Sequence, residues 1–214
     1  MAAVMQNVTP IDALLRDARV WRGQEAPAPA RSPHPSGFDA LDDALPTGGW
    51  PEAALVEILF SADGLGELSL LLPSLAAIST RERPILVVAP PYRPYAPAWR
   101  RAGVDLRQLH LLDATPKDAL WAMEQALRAG CCGAVLGWPL QADDTALRRL
   151  QVAAESGRTP GFVFRPIAKR EAPSPAPLRL SLRGSEQGPE LRVLKCRGAL
   201  PPARPIPFHP YPRS

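Results

Sequence analysis

The stretch Ala54-Leu-Val-Glu-Ile-Leu-Phe-Ser-Ala-Asp-Gly-Leu-Gly-Glu-Leu-Ser-Leu-Leu-Leu72 decides the fold. It starts with a short apolar run that ends at Phe60. It then passes through a turn containing Ser61, Gly64 and Gly66, and it closes with a leucine-rich segment. A short apolar run bounded by turn residues is typical of a buried strand. The pattern therefore predicts a strand, a glycine-bearing turn and a helix in succession.

The turn has the layout of a phosphate-binding loop without its chemistry. Such a loop needs Gly, four residues, Gly, Lys and then Ser or Thr. With Gly66 as the second glycine, Ser61 stands at the first glycine position, Glu67 at the lysine position and Leu68 at the hydroxyl position. Glu67 opposes the attraction of about 0.3–1 kcal/mol that a helix N-terminus offers an anion. We therefore expect no nucleotide or other cofactor at this degenerate turn, which comprises Ser61, Gly64, Gly66, Glu67 and Leu68.

Strands and helices alternate five times between residues 54 and 165 with short connections. Pro84–Ala89 is fully apolar, as in a buried parallel strand. Thr115 suits a helix N-cap, Pro116 the first helical position and Gly130 the C-terminal stop. This alternation predicts an α/β fold, a mostly parallel sheet with helices on both faces.

A different pattern follows Arg165. In Leu178-Arg-Leu-Ser-Leu-Arg183 leucines alternate with polar residues, and Leu191–Arg197 alternates again after turn-forming residues. Strict alternation on both sides of a turn predicts a C-terminal antiparallel hairpin.

Proline marks the expected boundaries, because 27 of the 214 residues are proline and they cluster outside the periodic segments. We predict an N-terminal part, 1–35, with a helix at Pro10–Trp21 and a Pro/Ala linker. A core follows over 36–197 and includes the hairpin. A Pro-rich basic tail occupies 198–214.

The positive charge is concentrated after residue 164. Residues 165–214 hold ten Lys or Arg against three Glu, a net +7, and the whole chain carries +4, so residues 1–164 carry −3. Such asymmetry fits a nucleic-acid surface, because cations contact phosphates without regard to sequence. The alternative is a solvated basic surface. The predicted DNA contacts are Arg165, Lys169, Arg170, Arg179, Arg183, Arg192, Lys195 and Arg197.

Other classes of site find no support in the sequence. Cys131, Cys132 and Cys196 lack metal-ligand spacing, and the three histidines are far apart, so we expect no metal site. No apolar run approaches the roughly 18 residues of a membrane span, and no secretory signal is recognisable. We expect a cytoplasmic protein without membrane contact.

The order of these pieces resembles the RecA-type ATPase core over about residues 36–197. The resemblance rests on Ser36-Gly-Phe-Asp-Ala-Leu-Asp-Asp-Ala-Leu45 before a Gly-Gly turn, and on Arg100-Arg-Ala-Gly-Val-Asp-Leu106. Among RecA relatives the chain is similar to the ImuA family. The shared features are Val20-Trp-Arg-Gly23, Trp50-Pro51 after two glycines, and Gly66-Glu-Leu68 in place of Gly-Lys-Thr.

The ImuA resemblance implies a non-catalytic accessory role in SOS-induced, mutagenic translesion synthesis. The implied partners are an ImuB-type, Y-family-like protein and an error-prone replicative-type polymerase, with RecA and DNA as further candidates. RecA's catalytic carboxylate is missing from Val88–Pro94, and Gly137 stands where its metal-supporting aspartate would be. We therefore expect no enzyme. Two alternatives stay open: a SulA-like inhibitor of cell division and a divergent NTPase.

Overall fold

An eight-stranded mixed sheet organises the part of the chain that the computed structural model describes, which is Ser32 and residues 34–186 and 188–210. The helix predicted at Pro10–Trp21 lies outside these residues. The strands are β1 (Leu55–Phe60), β2 (Ile85–Val88), β3 (Leu109–Leu112), β4 (Ala134–Gly137), β5 (Gly161–Pro166), β6 (Leu178–Ser185), β7 (Gly188–Cys196) and β8 (Ile206–Pro207).

The strand order is β3-β2-β4-β5-β1-β6-β7-β8. The strands from β3 to β6 pair in parallel, whereas β7 and β8 add in antiparallel fashion. β1 lies between β5 and β6, which explains why Leu55–Leu59 is buried without interruption. A strand that is covered on both faces reads as a continuous apolar run.

Five α-helices in the described residues cover the two faces of the sheet. They are α1 (Asp39–Asp42), α2 (Leu72–Ser79), α3 (Ala96–Arg101), α4 (Pro116–Ala129) and α5 (Asp144–Gly157). α1, α2 and α3 pack on one face around Trp50, Leu75 and Trp99. α4 and α5 pack on the other around Met123 and Leu150.

Local signals set the ends of α4 as predicted. The Thr115 hydroxyl accepts from Asp118 N–H at 3.3 Å, Pro116 is the first helical residue, and Gly130 takes the left-handed conformation with φ of 69°. α5 is capped by Asp143, whose carboxylate accepts from Ala146 N–H at 2.7 Å. These two helices, the longest of the described part, both pack on the same face of the sheet.

The predicted RecA-like fold class is wrong. The helix expected directly after the glycine turn begins only at Leu72, because Pro73 fits the first turn of a helix and not its interior. α1 and α3 have four and six residues. The hairpin does not follow a completed sheet, because β6 joins β1 in parallel and makes one mixed sheet with it.

The C-terminal segment contributes to this sheet. Ile206–Pro207 forms β8 beside β7, and Ile206 and Phe208 are buried in the core. The ring of Phe208 meets Phe38 edge to face, with centroids 5.2 Å apart. The domain boundaries at residues 35 and 197 stay a prediction.

Candidate interaction surface

A buried cluster of charges joins three strands at the centre of the sheet. Glu57 on β1 is fully buried, and its two carboxylate oxygens accept from Arg165 Nη1 at 2.6 Å and from Arg179 Nε at 2.5 Å. The same guanidinium groups reach into neighbouring loops. Arg165 Nη2 donates to the carbonyl of Ala142 at 2.6 Å, and Arg179 donates to the carbonyls of Lys169 and Arg170. The cluster therefore fixes the loops that follow β4 and β5.

The eight residues predicted to contact DNA divide into two groups. Arg165 and Arg179 are buried and paired with Glu57, so contact with a phosphate would require breaking those ion pairs. Lys169 is half-buried, and Arg170, Arg183, Arg192, Lys195 and Arg197 are exposed. Arg170 and Arg192 also face carboxylates at Glu171 and Glu190. Any role of these six surface cations in DNA contact stays a prediction.

The C-terminal segment covers the degenerate turn at Gly66. Gly66 has φ of 94°, and a Cβ added to it would lie 2.2 Å from Cβ of Pro210. Glu67 points back into the turn, where its Oε1 accepts from Gly64 N–H at 3.5 Å. The backbone at Gly66 thus contacts protein where a phosphate would need open space. Ser61 and Gly64 are exposed, and Leu68 is half-buried.

Large apolar side chains are exposed where three neighbouring strands end. β3, β2 and β4 run in parallel, so their carboxyl ends lie at one edge of the sheet. We call the exposed residues at this edge the carboxyl-edge surface. It consists of Tyr92 and Tyr95 after β2, Leu111 and Leu112 in β3, Trp121 in the second turn of α4, and Leu140 after β4.

These six side chains are between 37% and 71% exposed, and they make up most of the large exposed apolar residues in the described part of the chain. β3 is also the edge strand, so within the described residues its outer backbone groups have no strand partner. Unpaired strand edges and apolar patches are both features at which proteins associate. The arrangement can bind another protein.

Two contacts hold this surface in place. The hydroxyl of Tyr92 donates to Asp63 Oδ2 at 3.0 Å and links the loop after β2 to the turn after β1. That hydrogen bond raises the pKa of Tyr92, with the charge of Asp63 as the next cause. The ring of Trp138, two residues before Leu140, stacks on Phe164 with centroids 4.6 Å apart.

Sequence analysis did not identify the carboxyl-edge surface. The segment Val88-Ala-Pro-Pro-Tyr-Arg-Pro94 attracted notice only for the carboxylate that it lacks. The feature that could have revealed the surface is a tyrosine, Tyr92, between Pro91 and Pro94 in the loop after a buried strand.

A metal site has no candidate, because no group of three or more His, Cys, Asp or Glu side chains in the described ranges could hold an ion. No helix among these residues is long and apolar enough to cross a membrane.

Comparison with known proteins assigns the middle of the chain. Residues 53–161, about half of the chain, match the family model described as cell division inhibitor SulA. A cell division inhibitor SulA of Pectobacterium atrosepticum is 34% identical over 129 residues, which cover 59% of this chain and 74% of that protein. A SulA of Yersinia pestis is 30% identical over 112 residues, which cover 52% and 67%.

A solved structure is also similar. The crystal structure of SulA from Pseudomonas aeruginosa aligns with a TM-score of 0.45 and 29% identity, over 54% of this chain and 98% of that one.

The family model and the two SulA relatives overturn the predicted membership of the ImuA family. The resemblance rested on short segments around Trp50 and Gly66, whereas the SulA match runs continuously over residues 53–161. The predicted role in translesion synthesis is therefore wrong. The predicted partners in that role, an ImuB-type protein, an error-prone polymerase and RecA, lose their basis with it, and so does DNA as the substrate of translesion synthesis.

Proposed function

Because this chain belongs to the SulA family of cell division inhibitors, we propose that it blocks cell division by binding the division protein FtsZ through the carboxyl-edge surface. The observation that carries the proposal is the concentration of exposed aromatic and leucine side chains at one edge of the sheet. All six of them fall within residues 53–161, the range of the family match.

The composition of the surface suits a protein partner. Interface energy is concentrated in a few residues, and Tyr and Trp are over-represented among them because they bury a large area and lose little conformational entropy. Tyr92, Tyr95 and Trp121 are the most exposed aromatic residues of the described chain, each above 60%. A partner that covered them would remove apolar surface from water at about 25 cal/mol per Å².

The loop that carries the two tyrosines is restrained before it binds. Prolines at 90, 91 and 94 fix three backbone φ angles between β2 and α3, and Pro97 fixes a fourth in the first turn of α3. The hydrogen bond from Tyr92 to Asp63 adds a tether. A restrained loop loses less entropy on association, which favours affinity.

The proposed action is by binding and not by catalysis, and it takes place in the cytoplasm, where FtsZ assembles. A binding inhibitor acts in proportion to its amount. Assembly of purified FtsZ should therefore fall with added protein and stop near equal concentrations. An enzyme would instead act far below equimolar amounts and progressively with time.

The test uses the full chain and two matched variants. Tyr92→Ala with Tyr95→Ala removes two aromatic rings from the carboxyl-edge surface, and Leu200→Ala removes an apolar side chain that is 93% exposed elsewhere. Binding to FtsZ is measured by calorimetry, and assembly is measured by sedimentation. We expect the double variant to weaken binding at least about tenfold, a loss of about 1.4 kcal/mol, and Leu200→Ala to behave as the parent.

A second variant separates the ring from its hydroxyl. Tyr92→Phe keeps the aromatic surface and removes the bond to Asp63, so its effect should be smaller than that of Tyr92→Ala. If the parent does not bind FtsZ, the proposed function fails. If the parent binds and the double variant binds equally well, the partner stands and the carboxyl-edge surface is the wrong site.

A further inference from the structure

Three arginines line a cavity at the opposite end of the sheet from the carboxyl-edge surface. Arg81 and Arg83 precede β2, and Arg158 follows α5. The cavity has a volume of about 230 Å³, and His34 and Glu52 are the other charged or titratable residues in its lining among those that the structure describes. Gly133 and Pro160, which directly precede β4 and β5, form part of its wall.

The described lining of this cavity holds more cationic side chains than carboxylates. Among the described lining residues three guanidinium groups face one carboxylate, Glu52, and the contact from Arg158 to Glu52 is long at 3.5 Å. The side chain of Arg81 makes no ion pair or hydrogen bond with another residue that the structure describes. Arg83 is held in place, because its Nη2 donates to the carbonyls of Cys132 at 2.9 Å and Gly130 at 3.3 Å. The N–H donors of the three arginines therefore outnumber the described acceptors in the cavity.

Strained backbone holds these arginines. Within the described residues three non-glycine positions have positive φ. One is Glu82, with 55°, which lies between the lining residues Arg81 and Arg83, and another is the lining residue Arg158, with 50°, at the C-terminal cap of α5. Each such residue costs on the order of 1 kcal/mol, and such positions are concentrated where function requires the geometry.

His34 reports on the charge in the cavity. Burial lowers the pKa of its imidazole, and Arg81 lowers it further, followed by Arg83, while Glu52 acts in the opposite direction. The imidazole makes no hydrogen bond with another described residue. An anion in the cavity would add negative charge beside this ring and raise the pKa of His34.

We propose that this cavity is an anion site that binds a phosphate dianion, either free or as a phosphomonoester. The planar fork of a guanidinium matches phosphate oxygens in pairs, and charge-assisted hydrogen bonds of this kind are the stronger ones. The volume accommodates one phosphate group with a small substituent or several waters, since a water occupies about 30 Å³ of liquid. The site is independent of the proposed division inhibitor function.

The test is a titration of the full chain with inorganic phosphate at low ionic strength, followed by the NMR signals of His34. We expect saturable binding and an increase in the His34 pKa. Arg81→Ala and Arg158→Ala should each weaken binding about tenfold, the change that about 1.4 kcal/mol produces. Glu52→Gln should strengthen it, because the competing carboxylate is removed. Arg107→Ala is the matched control, since Arg107 is an exposed arginine paired with Asp105 away from the cavity.

Parallel titrations with glycerol 3-phosphate and with dimethyl phosphate identify the ligand class. A phosphomonoester should bind and the monoanionic diester should not. The proposal is overturned if His34 shows no saturable change, or if Arg107→Ala weakens binding as much as Arg81→Ala does. Because these experiments contain no FtsZ, their failure is distinct from failure of the proposed function.

Discussion

Glu57 and Arg165 form an ion pair inside the sheet, with Glu57 Oε1 2.6 Å from Arg165 Nη1 and both side chains withdrawn from water. Arg179 occupies the second carboxylate oxygen from the other side. Glu57 belongs to β1, and its partners belong to the two strands that flank it, β5 and β6. One carboxylate thus serves as the ion-pair partner of two arginines at the centre of the sheet.

Replacing Glu57 by Ala should destabilise the protein by about 3–5 kcal/mol, because two buried guanidinium groups would lose their counter-charge. Glu52→Ala is the control, since its pair with Arg158 is exposed and such pairs contribute about 0–1 kcal/mol. Chemical denaturation measures both. A loss below about 1 kcal/mol for Glu57→Ala would mean that water reaches the cluster.

Ser74→Ala should cost about 1–3 kcal/mol, because a buried donor would be left without an acceptor. The indole N–H of Trp50 donates to the Ser74 hydroxyl at 2.8 Å, and that hydroxyl donates in turn to the carbonyl of Pro35 at 2.8 Å. The exposed Ser61→Ala should change the free energy of unfolding by less than about 0.5 kcal/mol. Equal effects of the two substitutions would contradict the role given to this hydrogen-bond chain.

Phe208→Ala should lower the free energy of unfolding by about 3 kcal/mol, the cost typical of removing a buried aromatic ring. Phe208 is 2% exposed and packs against Phe38, whereas the adjacent His209 is exposed and supplies the control. Thermal unfolding of Phe208→Ala and of the control His209→Ala measures the two free energies. Deleting residues 199–214 to test partner binding would also remove β8, so point substitutions are the cleaner experiment.

Features that depend on neighbours in the sequence were predictable. The N-cap at Thr115, the proline beside it and the glycine stop at Gly130 act within one helix, and the structure confirms them. The alternating hairpin strands were recognisable for the same reason, because period two is a local property. The place of that hairpin in the sheet was not recognisable, since β6 pairs with a strand about 120 residues earlier, as in Glu57↔Arg179.

Long-range pairing also explains the misassigned arginines. Arg165 and Arg179 lie 108 and 122 residues from Glu57, so the sequence shows three isolated charges and not one buried cluster. In β6, Arg179 was expected on a polar face where it could contact DNA, and Ser181 is the other polar position between the leucines. They are buried, because β6 lies inside the sheet between β1 and β7. The carboxyl-edge surface is another property of strand order, which no local pattern contains.

Adjacent cysteines should differ in reactivity. Burial raises the pKa of the Cys132 thiol to about 11, with the neighbouring Cys131 as the next cause. At pH 8 this leaves about one Cys132 in a thousand as the thiolate that reacts. Cys131 is exposed. Brief treatment with iodoacetamide at pH 8 should therefore modify Cys131 well before Cys132, as peptide mass spectrometry can measure. Labelling of Cys132 first would contradict its buried, protonated state.

Magnesium–ATP should not bind at the turn after β1, in the parent or in the double variant Glu67→Lys with Leu68→Thr. The substitutions restore a cation and a hydroxyl to the phosphate-loop positions. They leave Ser61 at the first glycine position and Pro210 against Gly66, where the phosphates would need open backbone N–H groups. Gly137 would still supply no carboxylate behind a metal ion. Calorimetry with both proteins is the measurement.

A micromolar dissociation constant for magnesium–ATP in the parent would revive the divergent NTPase interpretation. A micromolar dissociation constant in the double variant alone would show that Pro210 can move away from Gly66. Glu67 and Leu68 would then be the residues that prevent ATP binding in the parent.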